Sequence, residues 1–222
     1  MDPAPPPSSG APTSESAPTR ASAPVPAPAP TPASSPAPPS IISFAFAGPI
    51  QPPASKNFRN ACCTAINNGA SEIRVLFSSS GGPVEEGFSL HNFLRALPAK
   101  LVMHCVGSAD SIAMVVFLAG TERFCCADST FLFHDFGWGS TTGINFTRLQ
   151  FGEFHDSLES FKTRSQQLLK TRAAFTDTDF TNLSLYDKAV IYDSAFAKSK
   201  GIVHDIKDPQ IPPRGPIYNI DF

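Results

Sequence analysis

Proline restricts this chain of 222 residues more than any other residue type, because each one fixes φ and removes a backbone donor. Fourteen of the 23 prolines lie in residues 1–40, interleaved with alanine and serine, and only nine are spread over the rest. A segment of that composition buries too little apolar surface to offset its chain entropy. Residues 1–40 are therefore expected to be a disordered or loosely polyproline tail. They carry neither the basic start nor the continuous apolar run of an export signal. Folding begins near Ile41, and residues 41–208 are expected to form one domain, followed by an extended tail over residues 209–222. A chain of about 150 residues already buries about two-thirds of its unfolded surface, so that length is ample for a core.

The formal net charge of −2 argues against an electrostatic nucleic-acid binder, which needs a basic face. The longest apolar run, residues 112–120, is far shorter than the ~20 residues that span a bilayer. Neither nucleic acid nor membrane is an expected partner. Five cysteines, an odd number without an export signal, point to a reducing cytoplasm rather than a disulfide framework. Cys62-Cys63 and Cys125-Cys126 are adjacent pairs without zinc-ligand gaps, and all five sit in apolar stretches, so packing as small hydrophobes is expected. No metal or cofactor is called for.

Within the domain, apolar runs alternate with helical spacing. Residues 41–50 read as a strand ended by Gly48-Pro49, and residues 56–68 as a helix with Phe58, Cys62, Ala65 and Ile66 on one side. Residues 73–77 and 101–106 are nearly all apolar, as strands covered on both faces are, and residues 131–133 form a third such run. Helices are expected over 87–96, 111–119 and 154–175, the last with a stripe of Leu158, Phe161, Leu168 and Leu169. This alternation predicts an α/β domain with a mainly parallel, buried sheet.

Reactive groups in such sheets gather at the carboxyl ends of strands. Three features fall there. Ser79-Ser80-Gly81-Gly82 follows the 73–77 strand, and paired glycines let N–H groups turn toward a ligand. Ser108, Asp110 and Ser111 occupy the turn after the 101–106 strand, where each is either a helix N-cap or, for a serine, a nucleophile beside oxyanion-binding N–H groups. His134 ends the 131–133 strand and is open to a structural, metal-ligating or general-base role, with no metal-spaced partner nearby. Solvated or capping roles are expected for His91, His104, His155 and His204.

In order and spacing these features resemble the proteolytic subunit of the Clp protease, within the wider ClpP/crotonase superfamily. Residues 77–84 resemble its N-S-P-G-G-x-V segment, and residues 107–113 its G-x-A-A-S-M-A nucleophile turn. Ala119-Gly120, Arg123-Phe124, Ser129 and His134-Asp135 follow its A-G…R-x…S…M-I-H-Q-P stretch, and residues 194–206 its S-A-x-E-A-x-x-x-G-L-V-D-x-I element. The resemblance implies a ClpP/crotonase-like β-β-α superhelix and serine endopeptidase chemistry on unfolded polypeptides. It further implies self-association into rings and an ATP-dependent unfoldase as partner. By position it makes Ser111 the nucleophile, His134 the general base, and the N–H groups of Gly82 and Ile112 the oxyanion hole. The third triad position falls on Ala189 without gaps; Asp187 restores it with a two-residue shift, and Asp193 is a further substitute. Ser80 stands where the family has proline, and Asp110 where it has alanine. A carboxylate at 110 either caps the following helix or faces the pocket and opposes an oxyanion. These departures keep a weak or inactive ring subunit as the alternative. Crotonase-like acyl-CoA chemistry, in which paired N–H groups hold a thioester enolate, is the third.

Overall fold

Seven mostly apolar residues at 41–47 form the first strand, and the chain then alternates as its patterning predicts. The computed structural model describes residues 1, 3–4, 40–137, 147–212 and 215–222, so the expected disorder of residues 1–40 lies almost wholly outside the described residues. In chain order the first elements are β1 (Ile41–Ala47), α1 (Pro52–Asn67), β2 (Glu72–Ser79), α2 (Val84–Ala96), β3 (Lys100–Ala109), α3 (Ile112–Phe117) and β4 (Glu122–Cys125). There follow β5 (Phe131–Phe133), α4 (Arg148–Arg172), α5 (Asp177–Asn182), β6 (Val190–Tyr192), α6 (Ser194–Ser199), β7 (Asp205–Ile206) and β8 (Ile217–Asn219).

Six strands make one sheet in the order β7-β4-β3-β2-β1-β8, and every pairing in it is parallel. Parallel neighbours need a crossover, and α1, α2 and α3 supply one between each successive pair from β1 to β4. The expected mainly parallel α/β sheet is thus present. The 131–133 run departs from it: β5 leaves the sheet and pairs antiparallel with β6. α1 starts at Pro52, four residues before the periodicity suggests, because proline at the first helical positions loses no hydrogen bond. α4 likewise starts early, at a capping box between Thr147 and Gln150. Of its expected stripe only Leu169 is fully buried, while Leu158, Phe161 and Leu168 are half-covered.

Aromatic rings form the spine of the core. Phe46 stacks on Phe77 at 5.5 Å between centroids, Phe77 meets Phe117 at 6.1 Å, and Phe117 meets Phe131 at 6.1 Å. All four are fully buried, each contributing about 1.5–3 kcal/mol of burial. The line ties β1 and β2 to α3 and β5, the elements that carry the candidate site.

Two histidine expectations need correction. His91 and His104 are buried rather than solvated, because each ring satisfies an N–H on a main-chain carbonyl: His91 Nδ1 donates to Val115 O at 2.7 Å, and His104 Nε2 to Lys207 O at 2.9 Å. His155 and His204 are exposed. Burial of Cys62, Cys105 and Cys125 fits packing as small hydrophobes, and it pushes their thiols up to about 12, 11 and 12; Cys63, by contrast, is exposed. In the 209–222 segment, β8 runs alongside Ser43–Ala45 of β1 and extends the sheet.

Arg123 is buried without a carboxylate partner among the described residues. It donates instead to the carbonyls of Ile202 (2.7 Å), Gly120 (2.9 Å), Arg172 (2.6 Å) and Gly201 (3.1 Å). One side chain thereby ties the end of α4 and the turn after α6 to β4.

Candidate active site

The turn from β3 into α3 is bent by Ser111, whose φ of 55° and ψ of −130° lie where a residue with a Cβ is strained. Ser111 stands at the N-cap position of α3, yet its side chain makes no capping hydrogen bond. Of the readings open for this turn, a cap by Ser111 is therefore absent. Its hydroxyl emerges at a helix start whose Ile112 N–H has no acceptor among the described residues.

Asp110 neither caps α3 nor stands loose. Its Oδ2 accepts the Ser108 hydroxyl at 2.8 Å and its Oδ1 accepts the Leu132 N–H at 3.1 Å, while Ser111 N–H donates to Leu132 O at 2.9 Å. Carboxylate and main chain together fasten the elbow to β5, two residues before His134. This bracing role has no signal in the sequence, since it depends on pairing across 22 residues.

The glycine turn packs against the elbow from the other side. Gly81 has φ of 91°, and a Cβ there would sit 2.9 Å from Asp110 O and 3.4 Å from Ser111 Oγ. Gly82 is closer still to its neighbours: a Cβ would fall 1.9 Å from Ile50 O. Ser79 Oγ accepts the Gly81 N–H at 3.2 Å, and Gly81 O accepts the Ile50 N–H at 2.8 Å. The Gly82 N–H donates to no group among the described residues. Ser80 in place of proline is accommodated because these contacts hold the turn.

His134 is half-buried. Its Nδ1–H donates to the Asp135 carbonyl at 2.6 Å, which fixes the tautomer and leaves the lone pair on Nε2. No carboxylate lies on the ring among the described hydrogen bonds and ion pairs. Tyr186 rests its ring on Phe133 at 6.1 Å and on Phe136 at 5.4 Å, so the residue before Asp187 touches both flanks of the His134 strand end. Asp187 itself is 60% exposed at the side chain and pairs with Lys162 Nζ at 3.0 Å. Asp193 caps α6 through the Phe196 N–H at 2.8 Å, and Ala189 is exposed. The structure thus brings Ser111, Ile112 and the Gly81–Gly82 turn together, ties β5 to them, and leaves the acids elsewhere.

The Clp protease family profile matches residues 50–210, nearly three-quarters of the chain. The chain belongs to the Clp protease family. Among its relatives, ATP-dependent Clp protease proteolytic subunit 1 of Rhodopirellula baltica is 26% identical over 145 residues, covering 63% of this chain and 60% of that protein. Proteolytic subunit 3 of Rhodococcus jostii is 28% identical over 100 residues, covering 44% and 48% respectively. The chain thus spans about half to three-fifths of the length of these relatives. A point mutant of ClpP1 from Listeria monocytogenes has the same fold, with a TM-score of 0.66 over 76% of this chain and 92% of that one at 15% identity. In this Clp-family chain Gly81-Gly82, Ser111 and His134 follow one another in sequence, while Asp187 and Asp193 are engaged by Lys162 and by the start of α6. No helix among its described residues is long and apolar enough to cross a membrane, and none of those residues form a metal-binding cluster.

Proposed function

We propose that this chain is a serine endopeptidase of the Clp proteolytic-subunit type, acting on unfolded polypeptides inside a ring of its own copies fed by an ATP-dependent unfoldase. One observation carries the proposal: Ser111 is held in a strained backbone conformation with its hydroxyl making no capping bond, beside the Gly81–Gly82 turn, and the Ile112 and Gly82 N–H groups have no acceptor among the described residues. Strain of this kind is kept where surrounding contacts over-determine it, and a nucleophile at a strand-to-helix turn is such a case.

Ser111 Oγ attacks the scissile carbonyl carbon, and His134 Nε2 takes its proton. The carbonyl π electrons move to oxygen, and the Ile112 and Gly82 N–H groups bind that oxyanion; losing one such donor costs about 10²–10³ in rate. The carbonyl re-forms as the C–N bond breaks, and His134 returns the proton to the leaving amine. Water, deprotonated by the same nitrogen, then hydrolyses the Ser111 ester. The hydrogen bond between serine and histidine closes on substrate, as catalytic contacts commonly do. Behind the ring, the Asp135 carbonyl orients the imidazole but lacks the charge that would stabilise imidazolium. Asp187 takes up that task when it leaves Lys162.

The test is Ser111→Ala, which should abolish both peptide hydrolysis and labelling by a fluorophosphonate. A variant that still labels overturns the assignment of Ser111. A second reading, a ring subunit without activity, is favoured by the Lys162–Asp187 ion pair and the capping role of Asp193. Purified rings that neither cleave short peptides nor label would establish it.

A further inference from the structure

Residues 217–222 pack along β1 and onto Gly48, in the segment that borders the Gly81–Gly82 turn. β8 docks on β1, Ile220 N–H donates to Ala45 O at 3.0 Å, and Asn57 Nδ2 donates to Asp221 O at 3.2 Å. The chain then lays the Phe222 ring edge-on to Phe46, 5.0 Å between centroids, and against Gly48. That cover is close, since a Cβ on Gly48 would lie 2.6–2.9 Å from three atoms of the Phe222 ring. Below the ring, Gly48 N–H donates to Ser78 O at 3.0 Å and Ile50 N–H to Gly81 O at 2.8 Å. The Ile50 carbonyl in turn leaves no room for a side chain at Gly82. Phe222, Gly48–Ile50 and Gly81–Gly82 therefore form three stacked layers, and the lowest carries one of the two N–H groups assigned to the oxyanion.

We propose that Phe222 is a positioning residue for the oxyanion turn: its ring holds the 48–50 segment down on Gly81–Gly82 and so fixes the direction of the Gly82 N–H. This rests on the reading of Ser111 as nucleophile. Phe222 is 50% exposed and lies outside the core, so its removal loosens this corner while the sheet stays folded. Because an oxyanion donor acts in the transition state, its misalignment lowers kcat and leaves KM largely alone.

The test is a double-mutant cycle on the full chain with Phe222→Ala and Gly48→Ala, the second of which pushes the ring off with its new methyl group. Each single variant should lose about tenfold in kcat for a short peptide, part of the full oxyanion effect, with KM within about twofold. The double variant should be no worse than either single one, and Phe222→Tyr should restore the rate. In parallel, amide hydrogen exchange at Gly48 and Ile50 should quicken in Phe222→Ala. Unchanged exchange at Ile50, additive losses in the double variant, or a loss confined to KM would each overturn the proposal. Faster exchange in Phe222→Ala, with a wild-type chain that neither labels nor cleaves, would instead overturn the peptidase reading and, with it, the catalytic part of this one, leaving only the mechanical coupling.

Discussion

The strained turn at Ser111 makes a prediction opposite in sign to what a helix-flanking serine would give. Replacing Ser111 by glycine should stabilise the protein relative to Ser111→Ala, although both variants lose the nucleophile. A non-glycine residue in this backbone region costs on the order of 1–3 kcal/mol, and glycine loses about 0.5–1 kcal/mol more chain entropy than alanine on folding. The difference favours glycine by about 1 kcal/mol. For a domain of this size that corresponds to a rise of about 2–4 °C in Tm. The alanine variant is the proper reference because the Ser111 hydroxyl makes no capping hydrogen bond whose loss would confuse the comparison. Thermal and urea unfolding of both variants should be run at one protein concentration, since association raises apparent stability by mass action. Ser184, at φ of 50° on the loop before Asp187, provides a second strained serine at which glycine should also stabilise. If Ser111→Gly proves equal to or less stable than Ser111→Ala, the turn is relaxed in solution and the argument from strain to nucleophile fails.

Two further outcomes follow from groups around the site. Burial holds His91 and His104 below their ordinary 6.5, so at pH below about 6.5 the unfolded chain takes up protons that the folded one refuses. Stability should be full above that value and fall as pH drops toward the folded-state values, by up to about 1.4 kcal/mol per pH unit for each histidine. Urea unfolding between pH 7.5 and 5 would show it, and a His91→Gln, His104→Gln pair should flatten the slope; an unchanged slope refutes the attribution. Asp187→Asn should lower kcat at least about tenfold, as loss of an orienting acid does, whereas Lys162→Met frees the carboxylate and should not lower it. Equal losses in both variants would mean that their ion pair, and not the acid, is what matters.

How far the sequence revealed this arrangement depends on the range of the interactions involved. The sheet was legible because burial on both faces leaves a local trace: residues 73–77 and 101–106 are apolar runs interrupted only by Arg74 and His104, and β2 and β3 are those runs extended. β4, β7 and β8 were not, since strands of two to four residues such as Asp205–Ile206 show no period. The histidines show the same limit. His91 and His104 look polar in the chain, and only carbonyls 24 and 103 residues away make their burial tolerable. At the site, order and spacing singled out Ser111, His134 and Gly81–Gly82 as candidates. The strain at Ser111 was invisible, because serine gives no hint of a backbone that glycine would prefer.

The acid was illegible for a different reason, and it bears on what the chain needs in order to work. Three groups compete for the few acidic side chains near the end of the domain: the Lys162 ammonium, the open start of α6, and the His134 ring. The first two are satisfied within this chain by Asp187 and Asp193, while the third takes the neutral Asp135 carbonyl. A carbonyl selects the same tautomer as a carboxylate does but supplies no countercharge when the imidazole is protonated in the transition state. Asp110, the carboxylate beside Ser111, cannot substitute, since both its oxygens are engaged in holding β5 to the elbow. On the proposed reading, Ser111 and its two flanking N–H groups are in place while the countercharge for His134 is deferred. Transfer of Asp187 from Lys162 to His134 would have to move the loop between α5 and β6, in which Tyr186, with φ of 69°, packs its ring on Phe133 and Phe136 at the strand end.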